Sequence, residues 1–343
     1  MLVVIWRDQS TGYATLSTAL HTQELSLTRI FGDISETNVG DEFQASGTQS
    51  RFGFSTSTPF GSSTIYTVIE GDFWSYGDNN PRVRFRQGYG AWNGILAGQT
   101  WSNFGTFVAS SPTLDFLGTA GSNGFGSRLA QLRYTSGNIS VAVEDPQAQL
   151  AENIDGSLPD GATLPDNDDA ISSLPAISLR YEDSIDAFSY SIAGIARQLK
   201  YNTGSEKDTE MGYAAFLAGA YNAGPLTVRG IVNMSEGANS YLYLSGDVFN
   251  GADAYVNQNG ALETLSGRGA SAGISYQLTP LYSVNASYGF TDVESDGVQV
   301  GGDAIRKNQN AFINLMWTPH ERLMYGIEYG YFKTQIDDGL EAD

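Results

Sequence analysis

Charged residues recur at every second position in two neighbouring segments of the chain. Arg82, Arg84 and Arg86 alternate with apolar residues, and Glu70 and Asp72 occupy alternate positions of the segment before. Side chains two residues apart lie on the same face of a β-strand. Guanidinium groups on such a face pair with carboxylates, or bind the carboxylate of a solute through two parallel hydrogen bonds. The pattern therefore predicts either a surface that orients charged solutes or a wall of structural ion pairs.

The residue sets that catalysis commonly requires are missing from the sequence. The histidines are His21 and His320 alone, and neither a Gly-x-Ser-x-Gly nor a His-Glu-x-x-His motif occurs. The absence of cysteine excludes disulfides and thiolate metal sites. Glu70 and Asp72 could suggest glycoside hydrolysis, but two carboxylates on one strand face fit a lining better. We expect no enzyme and no cofactor; the alternatives are an outer-membrane barrel enzyme or a surface adhesin.

Fifteen segments alternate apolar residues with polar or small ones, as half-buried β-strands do. Several reach the length that crosses a bilayer when the strand is tilted. The segments are Leu27–Ile34, Arg51–Thr58, Thr64–Trp74, Arg82–Trp92, Ile95–Trp101, Arg128–Thr135, Ile139–Glu144, Ala176–Tyr181, Phe188–Arg197, Met211–Tyr221, Leu226–Asn233, Ala270–Leu278, Leu281–Thr291, Asn308–Trp317 and Leu323–Phe332.

The links between these segments alternate in length. Links after even-numbered segments are tight, as at Asn93–Gly94 and Thr279–Pro280, whereas most links after odd-numbered segments are long, as at Ser102–Ser127. Membrane barrels have short periplasmic turns and longer outside loops. The pattern predicts an all-β fold, namely a transmembrane antiparallel β-barrel of the porin type. A large soluble all-β protein is the alternative.

The charge balance limits the partners. The net charge of −20 argues against binding to a nucleic-acid backbone. Seven acidic residues and no basic one lie in Asp145–Leu174. Such a link usually serves solubility, and a divalent-cation site that bridges lipopolysaccharide is the less favoured interpretation. Asp166–Asp169 lacks the spacing of an EF-hand loop.

Arginines on the lipid-facing side of a barrel would cost ~2–4 kcal/mol each near the midplane. Arg82, Arg84 and Arg86 are therefore expected to point into the lumen. Arg51 and Arg133 should do the same, because their neighbours Phe52 and Leu132 take the other face. Glu70, Asp72 and the region around Asp115 are predicted to form the opposing side of the lumen.

Two glutamines are predicted to face outward. Gln87 and Gln99 fall on the lipid-facing side if strict alternation holds in their segments. Polar side chains are poorly solvated by lipid, so these residues could mark an interface between subunits. The alternative is a β-bulge that reverses the facing of the strand.

Six short motifs follow one another in the first half of the chain. Their order and spacing resemble those of the DcaP-like porins of Gram-negative outer membranes. The resemblance implies a sixteen-stranded, trimeric, water-filled pore in the outer membrane, surrounded by lipid and lipopolysaccharide, that favours small anionic solutes such as dicarboxylates. The motifs are Ser50-Arg51-Phe52-Gly53-Phe54, Glu70-Gly71-Asp72-Phe73, Arg82-Val83-Arg84-Phe85-Arg86 with Tyr89-Gly90, Gly98-Gln99-Thr100-Trp101-Ser102, Thr113-Leu114-Asp115-Phe116 and Gln131-Leu132-Arg133-Tyr134-Thr135.

The resemblance also predicts the domain organisation. Residues 25–343 would form one barrel, in which the Phe- and Gly-rich loop 102–127 folds inward and constricts the pore; an ordinary rim loop is the alternative. Residues 1–24 have no clear place in the family pattern. Because barrels have even strand numbers, fifteen segments suggest that the chain continues beyond Asp343, or that Leu2–Trp6 supplies the closing pairing.

Overall fold

The structure, a computed structural model, is almost entirely β-sheet in the residues that it describes. Those residues are 4–8, 12–20, 50–73, 82–123, 127–146, 148–150, 170–202, 207–246, 251–257, 259–294, 305–336 and 341–342. The strands are β1 Val4–Asp8, β2 Gly12–Leu20, β3 Arg51–Phe60, β4 Ser63–Asp72, β5 Arg84–Trp92, β6 Ile95–Trp101, β7 Arg128–Ser136, β8 Ile139–Glu144, β9 Ala170–Ile171, β10 Ala176–Ile185, β11 Phe188–Asn202, β12 Lys207–Ala223, β13 Leu226–Glu236, β14 Ala254–Val256, β15 Leu262–Thr264, β16 Ser266–Thr279, β17 Tyr282–Val293, β18 Ile305–His320, β19 Leu323–Ile336 and β20 Glu341–Ala342. A 3-10 helix spans Asn239–Tyr241.

One antiparallel sheet contains eighteen of these strands. Its longer strands pair in the order β1, β2, β19, β18, β17, β16, β13, β12, β11, β10, β8, β7, β6, β5, β4 and β3. The two-residue strands β9 and β20 pair with β11 and β19. β14 and β15 form a separate hairpin. Sixteen strands of ordinary length therefore build the sheet within the described residues.

The predicted segments agree with this sheet. Each of the fourteen segments from Arg51 onward coincides with one of the longer strands, and Leu27–Ile34 lies outside the described residues. Two further strands lie in the first twenty-four residues, whose role the sequence left open. β1 overlaps Leu2–Trp6 and pairs with β2, and β2 pairs with β19 so that Leu20 lies opposite Leu323. The proposed strand number of about sixteen is confirmed.

Tight turns join the strands as predicted. Asn93 and Gly94 connect β5 to β6 with φ angles of 48° and 79°, the left-handed conformation that two-residue hairpin turns need. Long links follow β6, β8 and β13. The alternation of short and long links therefore has a direct counterpart in the fold.

The sheet has its apolar face on the outside. In β8, Val141 and Val143 are 44% and 43% exposed, whereas the alternating Ser140, Ala142 and Glu144 are at most 3% exposed. A soluble sheet would bury the valines and expose the glutamate, so this distribution is that of a sheet whose outer face contacts lipid. No helix in the described part is long and apolar enough to span a membrane.

Candidate channel lining and inner segment

Residues 102–123, which follow β6, pass along the polar face of the sheet and are called the inner segment below. Its first turn is bound to β8. The Glu144 carboxylate accepts hydrogen bonds from the Asn103 backbone N–H (2.9 Å) and the Ser102 hydroxyl (2.6 Å). The Asn103 side chain accepts a hydrogen bond from the Ser140 hydroxyl at 2.6 Å. Glu144 is 1% exposed. Because a buried carboxylate is costly without hydrogen bonds, the donors of Ser102 and Asn103 stabilise it.

The middle of the inner segment is bound to β18 and β19, which lie several strands away from β8 in the sheet. The Glu328 carboxylate, on β19, accepts the backbone N–H groups of Leu114 (2.9 Å) and Asp115 (2.8 Å). Asn310, on β18, accepts the Ala120 N–H at 2.9 Å and donates to the Gly118 carbonyl at 2.9 Å. The inner segment thus contacts β8 at one end and β18 and β19 further along, on the polar face of the sheet.

Asp115, predicted as part of the lumen lining, supports a turn within the inner segment. Its carboxylate accepts the N–H groups of Leu117 (2.8 Å) and Gly118 (2.9 Å), and the residue is 3% exposed. Asp and Asn side chains commonly close turns through such bonds to nearby backbone groups. Asp115, the single charged residue of the inner segment, therefore has a structural role in this turn.

A second segment, Gly237–Gly246, packs on the first. The Tyr243 hydroxyl donates to the Leu117 carbonyl at 2.7 Å, and the Tyr243 carbonyl accepts the Gly121 N–H at 3.0 Å. Leu244 is fully buried with a φ angle of 60°, and its carbonyl accepts a hydrogen bond from Thr291 on β17. The alternation of link lengths predicts only a long outside link here, because these contacts depend on distant residues.

The predicted charged ladder forms one ion-pair cluster. The Arg84 guanidinium donates two hydrogen bonds to the Asp72 carboxylate (2.9 and 2.6 Å). Arg86 donates to Glu70 (2.8 Å) and to Asp72 (2.7 Å), and the Arg51 guanidinium lies 3.7 Å from Glu70. The carboxylates therefore bind the arginines of adjacent strands directly, and they are not an opposing side across a gap. The expected separation is wrong because β4 pairs with β3 and β5.

Arg86 also connects this cluster to the inner segment. It is 2% exposed, and its guanidinium carbon lies 5.9 Å from the centre of the Phe116 ring. Arg82 precedes β5 and is exposed, so it lies at the edge of the cluster and not within the ladder. Phe85 and Val83, the alternating neighbours, are 52% and 66% exposed, as expected for the outer face.

A β-bulge in β5 overturns the predicted facing of one glutamine. Gly71 pairs with Phe85, but the preceding Glu70 pairs with Gln87, so Arg86 is the extra residue. Gln87 consequently lies on the inner face, where its amide donates to Glu70 at 3.2 Å. The alternative of a local bulge is therefore confirmed for Gln87. Gln99 pairs with the outward Gly88 and keeps its predicted outward position.

Three further charged residues line the inner face, and one of them was predicted. Arg133 is flanked by the 56% exposed Leu132, and no carboxylate in the described part of the chain lies within ion-pair distance of it. Arg180 and Arg229 were not singled out from the sequence, although they alternate with Leu179 and Val228 in segments already identified as strands. The same alternation rule could have found both. Arg229 donates to the Ser275 hydroxyl at 2.7 Å, and it lines a cavity of about 630 Å³.

Outside the membrane-spanning strands, one buried carboxylate connects the long links. Asp253 accepts the backbone N–H groups of Gln149 and Ser240, both at 2.8 Å, and lies 3.3 Å from the Arg197 guanidinium. Burial raises the pKa of the Asp253 carboxyl, although Arg197 and the two N–H groups act in the opposite direction. Of the acidic link Asp145–Leu174, residues 151–169 lie outside the described residues. The described part contains no cluster of three or more metal-ligating side chains.

An antiparallel sheet of sixteen longer strands, with an apolar outer face and a polar inner face, defines a porin-type channel of the Gram-negative outer membrane. Residues 26–343 match the family model of the DcaP outer membrane protein, and the chain belongs to this family. The predicted family is therefore confirmed.

Solved structures share the fold. The crystal structure of the outer membrane channel DcaP of Acinetobacter baumannii superposes with a TM-score of 0.74 at 23% identity, covering 99% of this chain and 92% of that one. A loop L8 deletion mutant of the outer membrane protein OmpT of Vibrio cholerae has a TM-score of 0.50 at 11% identity, covering 94% of this chain and 100% of the other. No curated protein matches the sequence.

Proposed function

We propose that this channel allows passive diffusion of small hydrophilic solutes and weakly favours anions, including dicarboxylate-like ones. One observation carries the anion preference: Arg133 and Arg229 lie on the polar face of the sheet without a carboxylate partner among the described residues. A guanidinium in this position attracts an anion and offers it a fork of donors. Charged side chains that line a pore select ions by this means.

The ion-pair cluster contributes less than its number of arginines suggests. Arg51, Arg84 and Arg86 share the carboxylates of Glu70 and Asp72 at distances of 2.6–3.7 Å, so these carboxylates neutralise much of the positive charge of the three arginines. We therefore propose that the cluster mainly fixes the wall against Phe116 and that Arg133 and Arg229 set the preference. Arg51, Glu70, Asp72, Arg82, Arg84, Arg86, Asp115 and Arg133 remain the proposed lining, and the inner segment remains the proposed constriction.

We further propose that the channel assembles as a homotrimer in contact with outer-membrane lipid and lipopolysaccharide. Gln99 supports a subunit interface, because it lies on the outward face of β6, where lipid offers its amide no hydrogen bond. Its amide donates to the Arg86 carbonyl at 3.1 Å, which satisfies only part of its capacity. Nothing in the described residues favours catalysis or adhesion, and a channel is the proposal we retain.

Reversal potentials in planar bilayers test this function. With a tenfold KCl gradient, we expect the wild type to show a weak anion preference and the double variant Arg133→Gln, Arg229→Gln to lose it. Arg322→Gln is the control, because it removes one positive charge at an exposed tight turn, 3.8 Å from Glu321, and should leave the selectivity unchanged. Cation selectivity of the wild type would refute the anion preference. Conductance steps in groups of three would support the trimer, and single steps would contradict it.

A further inference from the structure

A cavity of about 210 Å³ lies between the inner segment and the wall formed by β6, β7 and β10. Its lining includes the charged residues Arg133, Arg180 and Glu182, together with Asn123 and Tyr241. A volume of this size exceeds that of one water molecule many times over. It is sufficient for a small organic solute.

Two of the polar side chains in this lining are buried without a partner. Asn123 is 2% exposed and Tyr241 is 6% exposed. The two polar atoms of the Asn123 amide have no hydrogen-bond partner within the described residues, and the same holds for the Tyr241 hydroxyl. Buried polar groups are almost always satisfied in folded proteins. The polar atoms of these two groups are themselves almost inaccessible to solvent, so the binding of a solute in this cavity depends on the charged residues of the lining.

The charges of the lining have both signs, and Arg180 and Glu182 form only a long ion pair. Arg133 has no carboxylate partner in the described part, as noted above. Arg180 donates to the Gly105 carbonyl, and its Nε atom is 4.0 Å from the Glu182 carboxylate, which is too long for a strong hydrogen bond. Glu182 accepts the Thr106 hydroxyl at 2.7 Å with one oxygen, and no group of the described residues donates to its other oxygen. Glu182 would repel a carboxylate placed beside it and attract an ammonium group, whereas Arg133 and Arg180 would attract a carboxylate.

We infer that this cavity binds a small zwitterion that carries one carboxylate and one ammonium group, of the kind found in a neutral α-amino acid. The carboxylate would bind Arg133 and Arg180, and the ammonium group would bind the free oxygen of Glu182. The rings of Phe104 and Phe107, in the same lining, contact the apolar part of the solute.

The inference rests on the proposed channel function, since the solute reaches the cavity through the lumen. It goes beyond that function by naming a solute class that net anion selectivity does not predict. A zwitterion carries no net charge, so its binding depends on two separated partners of opposite sign. The two properties can therefore fail separately.

Current block by L-alanine and by L-lactate tests the inference. Lactate is the matched probe, because a hydroxyl replaces the ammonium group. In wild-type channels we expect alanine to interrupt the current at a concentration at least threefold lower than lactate. Glu182→Gln should remove this advantage while keeping a carbonyl oxygen for Thr106, and Arg133→Gln should weaken block by both solutes.

Glu321→Gln, at the exposed turn between β18 and β19, is the control variant and should behave as wild type. Equal or stronger block by lactate would overturn the inference, and so would an alanine effect that Glu182→Gln leaves unchanged. A complete lack of alanine block would overturn it as well. Reversal potentials in KCl alone report the anion preference, so the proposed function would stand or fall independently of these results.

Discussion

The two buried glutamates that hold the inner segment should respond differently to the same substitution. Glu328 accepts the Leu114 N–H and the Asn314 amide with one oxygen and the Asp115 N–H with the other. A glutamine there has one acceptor oxygen, so at best the Asp115 N–H faces an NH₂ group. Both the NH₂ group and the backbone N–H are donors, and neither can act as an acceptor. One buried donor is therefore left unsatisfied.

Glu144 tolerates the change because one of its partners is a hydroxyl. One oxygen accepts the Asn103 N–H and the Ser178 hydroxyl, and the other accepts the Ser102 hydroxyl as its one donor among the described residues. A glutamine amide can donate to Ser102 Oγ once that hydroxyl turns, since a hydroxyl both donates and accepts. Glu144→Gln should therefore leave the first turn of the inner segment in place.

The magnitude follows from the cost of an unsatisfied donor. Such a group costs ~1–3 kcal/mol, and the loss of repulsion between Glu328 and the Asp115 carboxylate offsets part of this cost. A net loss of ~1 kcal/mol raises the population of open forms of the segment about fivefold. We expect Glu328→Gln to speed amide hydrogen exchange of residues 114–118 by about five- to tenfold and to increase current noise.

Hydrogen exchange followed by mass spectrometry, together with single-channel recording, measures both effects. Glu144→Gln should change exchange of residues 102–106 less than twofold. Equal effects of the two variants would refute the reasoning, because it assigns the difference to the reversible hydroxyl of Ser102. Unchanged heat-modifiable mobility in detergent gels confirms that both variants fold.

Other predictions follow from single contacts. Tyr243→Phe removes the bond to the Leu117 carbonyl and should loosen residues 117–121 by ~1 kcal/mol, measured as faster exchange there; exchange equal to wild type would contradict this. Arg197→Gln leaves the Asp253 carboxylate buried without its cation at a cost of ~3–5 kcal/mol, so limited proteolysis should cut residues 237–265 faster, and resistance equal to wild type would argue against the ion pair. Val141→Arg places a charge on the lipid-facing side and should lower unfolding free energy in lipid by ~2–4 kcal/mol near the midplane; an unfolding free energy equal to that of the wild type would contradict the outward position.

The strands could be predicted because the side chains of a membrane sheet report its facing directly. Leu132 differs in polarity from its neighbour Arg133, and Val141 differs from Ser140. One face of the sheet contacts lipid and the other is polar, so this difference repeats from residue to residue along each strand. A bulge was one of two alternatives for Gln87, and its place at Arg86 could not be predicted, because one inserted residue leaves the local sequence alternating as before. The facing of Gln87 depends on its pairing with Glu70.

The charged site was only partly predictable for a related reason. Alternation places Arg84, Arg86, Glu70 and Asp72 on the same face, but the pairing of adjacent strands decides whether these charges neutralise each other. The second segment, Gly237–Gly246, packs on residues more than a hundred positions away, and no local pattern carries that information. Arg133 stands out only when the ion pairs of the other arginines are known.

Cysteine accessibility tests the central claim, that the polar face of the sheet lines a water-filled channel. The native chain contains no cysteine, so single substitutions at Leu132 and Arg133 give unambiguous labels on opposite faces of β7. The account predicts that a charged, water-soluble thiol reagent reacts with Arg133→Cys in lipid bilayers and reduces the current, while Leu132→Cys does not react. Reaction at Leu132→Cys with no reaction at Arg133→Cys would contradict it.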